Sequence, residues 1–207
     1  MDPALATLGA FFLTSLAIEL TPGPNMAYLA LVGVSRGRAD GLMAVAGVCI
    51  GLAALGAIVG VGLGSLILDN VVVYEVLRWA GFAYLLWLAY ESWRDGRRGA
   101  EEGDIPKTRW LFFRRGFITN ALNPKAALFY ATVMPAFVSS AQPVLGQTTA
   151  LVAVYVVAAT LVHTGIVLLA STLQPLFLKP QFRSRAGTVF AIALAGVAVW
   201  LLVKTAR

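Results

Sequence analysis

Residues 19–25, ELTPGPN, interrupt a long apolar stretch with two prolines and a glycine. Proline lacks an N–H and its ring clashes with the carbonyl four residues back, so a helix stops here. Glu19 stands three residues ahead of Pro22, and Asn25 directly follows Pro24. A break beside a carboxylate, inside apolar sequence, needs a reason.

The surroundings supply one. The chain has 207 residues, 59% hydrophobic and 13% charged, with a mean hydropathy of +0.80. A soluble domain carries about a quarter charged residues. Residues 41–68 contain no charge at all, and about 20 apolar residues suffice to cross a bilayer as a helix. The chain reads as an all-α integral membrane protein. Apolar segments at 4–32, 41–68, 71–93, 115–138, 147–173 and 186–203 predict six spans. They are continuous rather than alternating, which excludes barrel strands. The acid at position 2 argues for a retained first helix rather than a cleaved secretory signal.

Positive residues favour the cytoplasmic side. Twelve of the sixteen Lys and Arg residues fall between spans one and two, three and four, or five and six. Loops 67–70 and 139–146 carry none. Both termini are therefore expected outside, and topology explains the net charge of +6 without nucleic-acid binding. The mixed-charge stretch 94–114 reads as a cytoplasmic connector between halves 1–93 and 115–207 of one membrane domain. The single cysteine, Cys49, leaves neither a disulfide nor a Cys/His metal site. No cofactor or metal ion is expected.

The second half opens with GFITNALNPKAALFY, residues 116–130. Sliding it by 102 residues sets Pro124 on Pro22, Leu122 on Leu20, Asn123 on Thr21 and Tyr130 on Tyr28. Three helices is an odd number, so the second half must run in the opposite sense. Inverted halves with interrupted helices at matching positions point to a secondary transporter with its site near the bilayer midplane.

These motifs resemble the lysine-exporter (LysE) superfamily in its homoserine/threonine-resistance (RhtB) branch. TPGPN in span one, NPKAALFY in span four with Asn120 before it, and YEVLRWAGFAYLLWLAYESW in span three carry the likeness, which covers essentially the whole chain. It implies export of amino acids or close derivatives from the bacterial cytoplasm, driven by the proton gradient, from the inner membrane. Glu19, where the branch carries small or apolar residues, and His163, where it is often acidic, depart from that pattern.

Residues at the breaks form the candidate substrate site: Glu19, Thr21, Pro22, Gly23, Pro24 and Asn25 in one half, Asn120, Asn123, Pro124 and Lys125 in the other. Pro22, Pro24 and Pro124 free the carbonyls of Ile18, Leu20 and Asn120, and in hydrocarbon such groups must find partners. The new helix N-terminus at Asn25 and Met26 suits a carboxylate. The loosened carbonyls and Glu19 suit an ammonium or a proton, so a zwitterion meets two unlike ends. A kink satisfied by neighbouring Ser/Thr side chains is the plainer alternative. Glu19 and Lys125 read either as ligand groups or as a fixed salt bridge between the halves. Asn120 and Asn123, three apart on one expected helical face, bind ligand or glue helices. His163 is a candidate proton relay with Glu19, an imidazole titrating near neutrality in water, or a neutral donor to a carbonyl. Tyr28 and Tyr130 cover the site or merely pack. Glu75 and Arg78 read as a structural pair. Gly47, Gly51, Gly56, Gly60 and Gly64 form a small-residue stripe for close helix packing, within the monomer or in a homodimer.

An amino-acid exporter is thus the first reading. A metal-ion or other small-cation exporter of the same superfamily is a second, though one carboxylate makes a poor cation path. A membrane enzyme is a third, without any hydrolase, zincin or phosphate-loop pattern.

Overall fold

The computed structural model describes residues 3–60, 70–97, 108–139, 141–177 and 179–205. Those residues are helical, in the order α1 (Pro3–Glu19), α2 (Pro24–Arg36), α3 (Arg38–Ile58), α4 (Val71–Arg97), α5 (Arg109–Ala121) and α6 (Pro124–Leu128). A π-helical turn (Phe129–Val133) and a 3₁₀ turn (Met134–Phe137) follow, then α7 (Val144–Ser171), α8 (Gln174–Phe177) and α9 (Pro180–Lys204). Four helices, α3, α4, α7 and most of α9, are each long and apolar enough to cross a membrane. The pair α1–α2, bent by 66° at the break, makes a fifth candidate. Span four, expected at 115–138, is instead built from α5, α6 and the two irregular turns, none of which is long enough alone. Residues 61–68 of expected span two, including Gly64, residue 69 of the loop after it, and residues 98–107 of the connector lie outside the described residues.

Both breaks follow from proline chemistry. Pro24 and Pro124 each occupy the first turn of a new helix, where the missing N–H has no intrahelical partner to lose. Each drives the residue before it out of the α region: Gly23 adopts φ −169°, ψ 177° and Asn123 φ −92°, ψ 101°. The local equivalence is therefore Pro24 with Pro124, 100 residues apart. The slide of 102, which set Pro22 on Pro124, overshoots it by two.

Helix α7 runs through the middle, touching α1, α2 and α3, while α3 pairs with α5 and α4 with α9. Small residues bring these pairs close. A Cβ on Gly47 would collide with the Phe113 carbonyl, and one on Gly116 with that of Ala44. Where α4 crosses α9, a Cβ on Gly187 would sit 2.9 Å from the Cα of Gly96. The core gathers Phe11, Tyr28, Tyr130 and Tyr155, all essentially unexposed.

Two unlike ends result. The ends of α2 and α4 and the starts of α3 and α5 share one end, tied by Arg36–Asp95 at 4.0 Å, Asp40–Arg109 at 3.8 Å and Glu91–Arg115 at 2.8 Å. The opposite end joins the start of α4 to the end of α9. There Arg78 holds Glu75 at 2.8 Å and donates to the Leu202 carbonyl at 2.8 Å. Basic residues thus concentrate where the loop charges place them.

Candidate functional site

The two breaks meet. Lys125 Nζ, in the first turn of α6, donates to the Thr21 carbonyl at 3.0 Å. Asn25, in the first turn of α2, donates through Nδ2 to Asn120 Oδ1 at 3.0 Å, and both side chains are buried. Asn120 packs on Gly51 of α3, where a Cβ would lie 3.1 Å from its own Cβ. After the Asn25–Asn120 bond is made, Asn25 Oδ1 and Asn120 Nδ2 have no partner among the described residues. Turning both amides over would exchange the two roles and still leave one spare donor and one spare acceptor.

The freed carbonyls are mostly taken. Ile18 accepts from the Thr21 N–H at 3.0 Å and its hydroxyl at 2.6 Å, so both lone pairs are used. Asn120 accepts from the Asn123 N–H at 2.9 Å. At these two carbonyls the plainer alternative holds: local donors satisfy the kink. Asn120 and Asn123 do not share a helical face, because α5 ends at Ala121. The following proline holds Asn123 extended, and its Oδ1 caps α6 by accepting from the Lys125 N–H at 3.1 Å.

Glu19 ends α1 and turns inward, 4% exposed. Its Oε1 accepts from the Tyr155 hydroxyl at 2.5 Å. Its Oε2 lies 3.1 Å from His163 Nε2, an ion-pair distance without the in-line geometry of a hydrogen bond. Tyr155 and His163 lie two turns apart on α7 and bracket its middle, so the carboxylate sits beside the middle of that candidate span. Of the two readings of Glu19 and Lys125, the fixed salt bridge is not made: the close partners of Glu19 are Tyr155 and His163, and that of Lys125 is the Thr21 carbonyl. The bend turns Glu19 toward α7, while Lys125 reaches across to the backbone of the first break. The carbonyl expected beside His163 is replaced by a carboxylate, and its Nδ1 has no hydrogen-bond partner among the described residues.

Both candidate covering tyrosines are fully enclosed. Tyr130 donates to the Leu52 carbonyl at 3.1 Å and meets Tyr155 edge-on at 5.0 Å between centroids. Tyr28 lies one turn along α2 from Asn25, with its hydroxyl unpartnered among the described residues. Of the glycine stripe, Gly47 and Gly51 face α5 and Gly56 faces Val152 and Tyr130. Gly60 has only Thr148 nearby, 3.6 Å from a built Cβ. Sequence reasoning missed Tyr155, whose signal was its place eight residues before His163, on the same helical face. It also missed Glu91 and Arg115, whose side chains are 10% and 13% exposed.

Four long apolar helices, a fifth candidate span bent before Pro24, and a second proline break at Pro124 that meets the first beside a buried carboxylate and imidazole define a multi-pass membrane protein. The chain belongs to the LysE type translocator family, whose model matches residues 16–205. It is 33% identical over 173 residues to a homoserine/homoserine lactone efflux protein of Salmonella typhi, covering 83% of this chain and 84% of that one. It is 30% identical over 169 residues to a leucine efflux protein of Enterobacter sp. (strain 638), covering 81% and 70%. It is 28% identical over 199 residues to an uncharacterized membrane protein of Vibrio cholerae, covering 96% of each. No solved structure matches the chain.

Proposed function

We propose that the protein exports neutral amino acids or close derivatives from the cytoplasm in exchange for protons, by alternating access of two inverted three-helix halves with both termini outside. The observation that carries this reading is the contact of the two breaks, Lys125 on the Thr21 carbonyl and Asn25 on Asn120, next to the buried Glu19–His163 pair. Relatives named for homoserine and leucine efflux support the substrate class. No observation favours the metal-ion alternative: among the described residues no three His, Cys, Asp or Glu side chains lie together.

The chemistry is an exchange of countercharges. A buried carboxylate needs a positive partner, because an unpaired charge in a low-dielectric interior is costly. A protonated His163 is one such partner for Glu19, and the ammonium of a substrate is another. Tyr155 holds the carboxylate still for either. The substrate's carboxylate turns to Lys125 and to the N–H groups that open α2, and the spare amide groups of Asn25 and Asn120 add a donor and an acceptor. Substrate leaves as the proton enters, since one carboxylate does not need both.

Purified protein in vesicles with an imposed pH gradient tests this. Labelled homoserine, threonine or leucine is expected to accumulate on the acidic side, metal ions not at all. Glu19→Gln is expected to reduce accumulation to that of empty vesicles. Gradient-driven accumulation by Glu19→Gln at the wild-type rate would remove the carboxylate from the mechanism.

A further inference from the structure

A cleft of about 240 Å³ opens beside the meeting point of the breaks. Lys125 and Leu128 of α6, Val133 of the π-helical turn, and Trp200, Leu201 and Lys204 of α9 frame it. Its lining is apolar apart from the lysines and two threonines, and no acid lines it. Lys125 belongs both to the cleft and to the crossing of the breaks, while Lys204 closes α9 at the end away from the basic loops. The π-helical turn supplies Phe129, Thr132 and Val133, and such turns recur at functional positions inside helices.

We infer that this cleft receives the substrate's side chain, and that Leu128, Val133, Trp200 and Leu201 set specificity for uncharged aliphatic side chains. The inference rests on the transport reading above. A substrate whose carboxylate sits on Lys125 has its side chain at the mouth of the cleft. The two lysines repel a cationic side chain, and no acid among the described residues lining the cleft faces it. The volume lies below the roughly 300–1,000 Å³ of drug-sized sites, so it suits one small side chain. Each buried methylene strengthens binding about fourfold, hence roughly fifty-fold from alanine to leucine.

Counterflow in vesicles holding the full chain tests this with labelled alanine, leucine, phenylalanine and lysine. Wild type is expected to half-saturate with leucine at a concentration tens of times below that for alanine, and lysine is expected not to compete. Val133→Trp fills the cleft and is expected to bring the leucine-to-alanine ratio close to one. Leu128→Ala only removes atoms and is expected to improve phenylalanine relative to leucine at least fivefold. Amino-acid counterflow with neither ratio changed would overturn this inference and leave the transport reading standing. No counterflow of any amino acid by wild type would overturn that reading, and this inference with it.

Discussion

Replacing Gly47 and Gly51 of α3, and Gly60 two residues beyond its end, one at a time with alanine adds the same atom to three different surroundings. At Gly47 the new Cβ meets backbone: it collides with the Phe113 carbonyl and comes within 2.9 Å of the Phe117 nitrogen. Backbone cannot rotate away, so α3 and α5 must part. Overpacking of this kind costs about 1–3 kcal/mol, and contact with main chain at both Phe113 and Phe117 argues for the upper half of that range. For a chain of this length about 2–3 kcal/mol lowers Tm by roughly 4–12 °C. At Gly60 the nearest atom is Thr148 Oγ1 at 3.6 Å, ordinary contact, so Tm is expected to stay within about 2 °C of wild type. Gly51 is the informative case. Its Cβ would lie 3.1 Å from Asn120 Cβ and Nδ2 and 3.2 Å from the Phe117 carbonyl. Ordinary contact begins at 3.4 Å, so Asn120 must yield by about 0.3 Å. That displacement acts on the 3.0 Å bond to Asn25, worth about 1 kcal/mol. Gly51→Ala is therefore expected to cost little stability and much transport. Thermal unfolding in detergent, paired with vesicle transport, reads both quantities. Equal melting of Gly47→Ala and Gly60→Ala would refute the backbone contact. Full transport by Gly51→Ala would refute the role given to the asparagine pair.

Tyr155→Phe removes the donor to Glu19, and a hydrogen bond to a charged group contributes about 1.5–3 kcal/mol; Tm is expected to fall by several degrees, and an unchanged Tm would show the bond to be idle. His163→Gln removes the imidazole that the proposed exchange relies on while keeping a polar side chain, so the pH dependence of exchange is expected to flatten; vesicle exchange across a pH series with an unchanged profile would take His163 out of the proposal. Glu91→Gln and Arg115→Met each orphan a mostly buried charge, at about 3–5 kcal/mol. The double variant is expected to cost less than either single, and additive losses would show that the pair is not coupled.

How much of this was legible in the sequence depends on whether a feature is local. Proline chemistry is local: TPGPN and NP each had to stop a helix, and both do. The charge of the loops is a count, and the ion pairs of Arg36, Arg109 and Arg115 gather at the end that count marks as cytoplasmic. Gly47, Gly51 and Gly56 of the stripe face neighbouring helices, although spacing could not say that the neighbours are α5 and α7 of the same chain. The identity of Glu19's partners was not legible, because it depends on the 66° bend and on the rotation of α7, neither of which leaves a mark in residue spacing. Without the bend, Glu19 and Lys125 remain the two charges nearest the breaks, and residue spacing alone leaves a salt bridge between them as one of two open readings. Sliding one half over the other failed by two residues for a related reason. Identities reward Pro22 against Pro124, whereas the backbone asks which proline opens a helix, and that is Pro24.

The asymmetry between the two breaks bears on how such a site works. Pro124 is preceded by an asparagine whose side chain caps the new helix at the Lys125 N–H. Pro24 is preceded by a glycine that provides no side-chain cap. By helix geometry the N–H groups of Asn25 and Met26 have no carbonyl four residues back within α2. One helix start is thus satisfied from within, and the other offers its positive end to whatever enters. Lys125 reaches that same end from the capped side, through the Thr21 carbonyl. A carboxylate arriving there meets a lysine and an uncapped helix start together, whereas the capped start offers the lysine alone. The glycine at position 23 therefore does more than permit the turn. Gly23→Asn would supply the missing cap and compete with ligand for those N–H groups. It is expected to raise Tm by about 1 °C, from the few tenths of a kcal/mol that separate asparagine from glycine at a helix start, while weakening the apparent affinity for substrate several-fold. If Gly23→Asn stabilised the protein and left affinity untouched, the uncapped start of α2 would have no part in holding substrate.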